Sequence, residues 1–348
     1  MLSAGIIGGT GYTGKYLIEY CNNHPFIETI KIYGNDSAGK NLLSIFPEFQ
    51  GIIEDQVIHD INEISPSHNV YFAALPHGKS LEIIPQLIND NNLIIDLGGD
   101  FRLRDNEEYE KWYGIGHTAG HLLGDTVYGL ADFKDTVYDK NLIANPGCYP
   151  TAALLSILPV IKHFGDYINS LSISAYSGTS GAGKSAKTHL LMSEMDGNVK
   201  AYNVNKHRHQ PEIFEQMNKY NFSSQFSFTT HLLPVSKGIY STTAVHTNQA
   251  LDFNLVEEVF NDEYKNSEFV RIRKEPPSLN WVVNTNYCDL NIDVSGQTII
   301  ITAAIDNLIK GASGQAVQNM NNYFGWNETL GIKFQQQSFS NTGTGGAE

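Results

Sequence analysis

The chain has 348 residues, enough for two domains of ordinary size, and 41% of them are hydrophobic. Its 23 Lys and Arg against 37 Asp and Glu leave a net charge of −14, which argues against a nucleic-acid partner. No segment approaches the ~18 uninterrupted apolar residues of a membrane span, and no positively charged leader precedes the first apolar run. Three widely spaced cysteines, Cys21, Cys148 and Cys288, fit free thiols in a reducing cytoplasm and offer no metal-ligand spacing.

In chain order, residues 4–7 read as a short buried strand, followed by a glycine-rich turn and a helix to about residue 22. Further strands are expected at 28–33, 70–74 and 93–97. The last two run into the loops Pro76-His77-Gly78 and Gly98-Gly99-Asp100. Strands separated by helices imply a parallel, doubly wound α/β sheet, which binds ligands at the carboxyl ends of its strands. The turn Gly8-Gly9-Thr10-Gly11-Tyr12-Thr13-Gly14 matches G-x-G-x-x-G after a strand and before a helix, the context of a dinucleotide fingerprint. After the second strand, Asp36 suits ribose hydroxyls, whereas Ser37 and Lys40 suit a 2′-phosphate. Residue types leave NAD and NADP both open.

Residues 145–152, Asn-Pro-Gly-Cys-Tyr-Pro-Thr-Ala, place Cys148 at the mouth of an apolar helix expected over 152–161. Pro150 suits a first helical turn, and the positive helix end is expected to favour a Cys148 thiolate. Beyond it, segments 170–176, 226–233, 240–246 and 298–306 suggest a mixed or antiparallel sheet. Helices are expected at 185–195, 212–220, 255–264 and 314–324, and a disordered polar tail from about residue 336.

Two motifs in this half need weighing. Gly178, Gly183, Lys184 and Ser185 fit the P-loop pattern G-x-x-x-x-G-K-[ST]. Its position mid-chain, behind a complete dinucleotide unit, opposes a nucleotide hydrolase, and that reading leaves Cys148 unexplained. In Lys206-His207-Arg208-His209-Gln210-Pro211-Glu212, His209 precedes a helix start that keeps its ring neutral and basic. His207 and His209 are equal partners for Cys148 on residue type alone.

With these motifs in hand, the chain resembles the N-acetyl-γ-glutamyl-phosphate reductases, relatives of aspartate-semialdehyde dehydrogenase. The likeness runs from residue 4 to about 330 through residues 8–14, 74–78, 100–103, 145–152, 177–184, 207–213, 231–234 and 311–320. It implies an N-terminal Rossmann domain (1–147 with a returning helix at 312–330) that binds NADPH. It also implies an α+β catalytic and oligomerisation domain (148–311), in a dimer or tetramer. It makes Cys148 the nucleophile and His209 the acid/base. The cofactor is expected at Gly8, Thr10, Gly11, Tyr12, Thr13, Gly14, Ser37, Gly178, Gly181 and Gln315; Arg102 and Asn145 are candidates for the substrate phosphate, and Glu212 for orienting substrate or His209. The implied reaction is reduction of an N-acyl-γ-glutamyl phosphate to its semialdehyde in arginine biosynthesis. Acetyl is the default acyl group, and N-succinyl-glutamyl or aspartyl phosphate is the alternative. The chain departs from the pattern at Asn35, where Arg is common, and at Asn284-Thr285-Asn286 near the substrate.

Overall fold

The computed structural model describes residues 1–184, 188 and 191–333. Seven strands form the first sheet: β1 (Leu2–Ile7), β2 (Ile27–Gly34), β3 (His59–Asp60), β4 (Val70–Ala73), β5 (Leu93–Asp96), β6 (Thr126–Tyr128) and β7 (Leu142–Ala144). Their order is β3-β2-β1-β4-β5-β7-β6, and every pairing is parallel. Helices α1 (Tyr12–Asn22), α2 (Leu42–Ile45), α3 (Ser80–Leu87) and α4 (Asn106–Tyr113) connect them. β4 and β5 are buried along their whole length, as strands covered on both faces must be. The chain order reverses between β1 and β4, so the glycine turn after β1 opens at the switch point of the sheet.

Helix α5 (Cys148–Phe164) leads into the second unit and begins at Cys148 itself, earlier than the apolar run suggests. The second sheet contains β8 (Ile168–Ser177), β9 (Lys200–Tyr202), β10 (Gln225–Leu232), β11 (Ile239–Thr247), β12 (Val270–Arg273), β13 (Cys288–Ser295) and β14 (Thr298–Ile305). Its order is β12-β13-β14-β11-β8-β10-β9. The pairs β8/β10 and β12/β13 are parallel and the rest antiparallel, giving the expected mixed sheet. Helices α6 (Met192–Met195), α7 (His209–Asn218) and α8 (Phe253–Tyr264) belong to this half. α5 packs on β8, β11 and β14 and contributes Ala152, Leu155 and Ile161 to their core.

The last helix, α9 (Gly314–Tyr323), returns to the first unit. Ala316, Val317 and Met320 share one core with Ala4, Ile6, Leu17 and Val70. Just before it, the fully buried Lys310 ammonium donates to Asp132 and to Gln318 Oε1. No helix among the described residues is long and apolar enough to cross a membrane.

The helix expected over 185–195 is seen only as Met192–Met195; residues 185–187 and 189–190 lie outside the described residues. The turn after β8 is a short 3-10 segment, Thr179–Ala182, that ends at Gly183 with φ of 85°. A positive φ of this kind is one that glycine adopts without steric cost, and it ends the short segment before Lys184. Ser185 and the tail from residue 334 also lie outside the described residues.

Candidate active site

The turn after β1 works through absent side chains. Gly8 has φ of 75°, and a Cβ on it would lie 2.3 Å from the Ala74 carbonyl oxygen. A Cβ on Gly14 would meet the Gly9 backbone at 2.5 Å. These contacts press α1 against the strand and leave its N-terminus open to a pyrophosphate. Gly8, Gly11, Tyr12, Thr13 and Gly14 line one wall of a cleft that runs on to Cys148 and His209. Thr10 Oγ1 and Ser37 Oγ are 3.3 Å apart, outside the lining of this cleft, and Asn35, Asp36 and Lys40 next to Ser37 in the chain are exposed. The residues therefore fit a dinucleotide.

Cys148 is held by a buried charged cluster behind it. Glu212, the fourth residue of α7, is fully buried, and its Oε1 accepts from Gly147 N–H and Tyr128 Oη, each at 2.8 Å. Its other oxygen faces Arg102 Nη1 at 3.4 Å. Arg102 Nε donates to the Asn145 carbonyl at 2.8 Å and Nη2 to the Leu97 carbonyl at 2.9 Å. On the opposite side, a Cβ on Gly311 would lie 2.7 Å from Cys148 Cβ. Gly311 belongs to a π-helical turn, Ile309–Ser313, a form common at functional sites. Glu212 thus sets the start of α5 and does not face the cavity.

The electrostatics correct the expected thiolate. Burial pushes the Cys148 thiol up to about 11, outweighing the Arg102 guanidinium and the backbone N–H of Tyr149, which both pull it down. The sequence shows that Cys148 starts a helix but not how deeply that start is buried. His209 is the first residue of α7, not the residue before it. Burial first, then His207 and Arg102, hold its ring well below the ordinary histidine range. The resting pair is therefore a thiol and a neutral imidazole. A Cβ on Gly147 would lie 2.4 Å from His209 Nε2, so the ring lies directly over the residue before Cys148. His209 Nδ1 is buried and has no hydrogen-bond partner.

A second cavity of about 510 Å³ meets the cofactor cleft at Cys148, His209 and His77. His207 opens only into this second cavity, where burial and Arg208 lower it to about 4. Its Nδ1 accepts from His209 N–H at 3.2 Å. His77 is a site residue that sequence reasoning passed over, although it follows the carboxyl end of β4. Burial, Arg208 and Arg102 drive its ring down to about 3. Lys200 and Tyr202 of the same cavity lie in no motif, and Arg208 lies within the 207–213 motif without a role assigned from sequence.

Three expectations need correction. Asn145 is fully buried: Nδ2 donates to the Ala312 carbonyl at 3.2 Å and Oδ1 accepts from Asn319 Nδ2 at 2.9 Å. Its amide braces the loop before Cys148 and lines neither cavity. Gln315 is equally buried, donating to Thr151 Oγ1 at 2.8 Å, away from the cofactor cleft. Gly178 borders the second cavity alone, whereas Gly181 borders both.

Comparison with known proteins places the fold and the family. A family model described as semialdehyde dehydrogenase, NAD binding domain, matches residues 3–140, and one described as semialdehyde dehydrogenase, dimerisation domain, matches 148–307. The N-acetyl-gamma-glutamyl-phosphate reductase of Clostridium novyi is 38% identical over 339 residues, covering 95% of this chain and 98% of that one. The one from Halothermothrix orenii is 40% identical over 341 residues, covering 96% and 98%. Among solved structures, aspartate semialdehyde dehydrogenase II of Vibrio cholerae superposes with a TM-score of 0.70 at 17% identity, over 92% of this chain and 97% of that one. The two-sheet architecture is thus that of the semialdehyde dehydrogenases, and the chain belongs to the N-acetyl-gamma-glutamyl-phosphate reductase family.

Proposed function

We propose that the protein reduces N-acetyl-γ-glutamyl phosphate to N-acetyl-glutamate semialdehyde and phosphate, with NADPH as reductant, in arginine biosynthesis. The observation that carries this reading is the meeting of the two cavities at Cys148 and His209. The names of the relatives supply the substrate. Ser37, buried beside Thr10 near the exposed Lys40, favours a 2′-phosphate and hence NADP.

Cys148 is the nucleophile. Its proton passes to His209 as sulfur attacks the γ-carbonyl carbon, the carbon–oxygen bond to phosphate breaks, and a thioester forms. Transfer from a thiol held near 11 to a depressed imidazole is uphill in the resting site. The bond-making to an activated acyl phosphate draws it forward, and Arg102 stabilises the sulfur charge and the departing phosphate. Backbone N–H groups at the start of α5 meet the developing oxyanion. The reduced nicotinamide, when bound, supplies hydride to the thioester carbon. His209 then gives its proton to the new oxygen of the thiohemiacetal. As the carbon–sulfur bond breaks, that proton returns through His209 to Cys148 and the semialdehyde leaves.

We take residues 1–147 with 312–330 as the Rossmann domain and 148–311 as the catalytic domain, a reading supported by the two separate sheets and by the return of α9 to the first core. The match to a dimerisation model favours a homo-oligomer, which we take to be a dimer or tetramer. The three free cysteines fit the cytoplasm.

The test is the reverse reaction. N-acetyl-glutamate semialdehyde and NADP⁺ should yield NADPH, and omission of phosphate should abolish the signal. Turnover with N-succinyl-glutamate semialdehyde or aspartate semialdehyde in place of the acetyl compound would reassign the substrate.

A further inference from the structure

The cavity on the substrate side of Cys148 has an unusual charge. The chain carries a net −14, yet no Asp or Glu is among the described residues that line this cavity. Two cations do line it, Lys200 and Arg208. Both are exposed, and neither joins any ion pair formed by the described residues. In a protein with this excess of carboxylates, two unneutralised cations in an acid-free cavity are suited to an anion from outside.

Local structure aims both at the same space. Lys200 sits on β9, the edge strand, opposite Leu232. Asn203 and Asn205, with φ of 48° and 56°, turn the chain back toward α7 through the left-handed region, which asparagine tolerates best after glycine. Backbone of this kind concentrates at ligand clamps. Arg208, the residue before α7, lies with its guanidinium 5.4 Å over the Tyr113 ring, a contact that steadies it without using its N–H donors. It lines the same cavity as His77, Cys148, His207 and His209, and its charge lowers all three rings.

An N-acyl-γ-glutamyl phosphate has two anionic ends. The phosphate is bonded to the carbonyl that Cys148 attacks, on the Arg102 side. The α-carboxylate lies at the other end of the carbon chain and needs its own partner. We propose that Lys200 and Arg208 hold this α-carboxylate and so restrict the enzyme to acyl phosphates that carry it. The inference rests on the reaction assigned above and adds the specificity-determining residues.

The experiment uses the full-length enzyme in the reverse direction, where phosphate and semialdehyde are separate substrates. Arg208→Ala and Lys200→Ala should each raise KM for N-acetyl-glutamate semialdehyde by about 10- to 100-fold, the scale of one charge-assisted hydrogen bond. KM for phosphate and for NADP⁺ should stay within about twofold in both, and Arg208→Lys and Lys200→Arg should recover most of the loss. The α-carboxamide analogue of the semialdehyde should be used poorly by the unaltered enzyme, and the acid-over-amide preference should collapse in both alanine variants. This last comparison in the unaltered enzyme needs no variant to fold. Equal use of acid and amide overturns the inference, as does an unchanged semialdehyde KM in either variant or a rise in KM for phosphate instead. Failure of the unaltered enzyme to make NADPH from any of the three semialdehydes would instead overturn the reaction itself.

Discussion

The two cavities that meet at Cys148 are built by opposite means. The cofactor cleft is shaped by glycines at positions where a Cβ would strike backbone, as Gly8 strikes Ala74 and Gly14 strikes Gly9. The substrate cavity is shaped by long polar side chains, His77, Lys200, Tyr202, His207 and Arg208. A dinucleotide carries its own charge and hydrogen-bonding groups and needs close approach to a helix N-terminus. A small acyl phosphate must be gripped by side chains that reach out to it. One cavity is therefore damaged chiefly by adding atoms and the other chiefly by removing them.

The contrast can be broken first at the shared wall. Cys148→Ser should abolish phosphate-dependent turnover while NADP⁺ still quenches intrinsic fluorescence. His209→Ala should lose on the order of 10²–10⁴-fold in kcat, the range of a positioned acid/base. Unaltered kcat in either variant would remove that residue from the mechanism. Next comes the thiol itself. With Cys148 raised to about 11, its alkylation by iodoacetamide should climb roughly tenfold per pH unit across the neutral to mildly alkaline range. A flat profile there would mean the thiolate is already formed.

The side-specific changes are smaller. Gly14→Ala should raise KM for NADP⁺ by about 5- to 100-fold, the scale of an overpacking strain, and leave the alkylation rate of Cys148 alone. If semialdehyde KM rose equally, the two cavities would not be separable. The smallest effect concerns Asp96, at the end of β5, whose Oδ1 accepts from Ser80 and Gly98 while Oδ2 is buried without a partner. Burial and the nearby Asp100 push its carboxyl up. A carboxyl raised by folding stabilises the fold below its unfolded pKa, and that contribution is lost as pH rises through the raised value. Melting curves of Asp96→Asn should therefore gain on the unaltered protein between about pH 4 and about pH 7. Parallel Tm profiles would contradict the shift.

The same contrast governs what the sequence can reveal. Glycine spacing survives in one dimension because the turn is local, so the fingerprint of residues 8–14 is readable and the cleft is where it points. The substrate cavity collects residues from the loop after β4, from β9 and from the start of α7, which only folding brings together. Lys200 accordingly carries no local signal, and His77 only its place after the carboxyl end of a strand. Asn145 and Gln315 mislead for a related reason. Polar residues inside a functional motif look like ligand contacts, but here they satisfy the carbonyl of Ala312 and the hydroxyl of Thr151 in the seam between the two halves. Helix ends are also legible while depth is not, which is why the thiolate expected at Cys148 yields to desolvation.

The returning helix bears on how the protein is made. Val317 and Met320 fill a core begun by Ala4 and Ile6, at the other end of the chain. On the ribosome, the first sheet emerges with that face uncovered and waits while the entire second sheet is synthesised. At ~5–20 residues per second the wait is on the order of ten seconds or more. A nascent chain stalled before α9 would expose an apolar face on a nearly finished domain, so early release should produce aggregates rather than a smaller working protein.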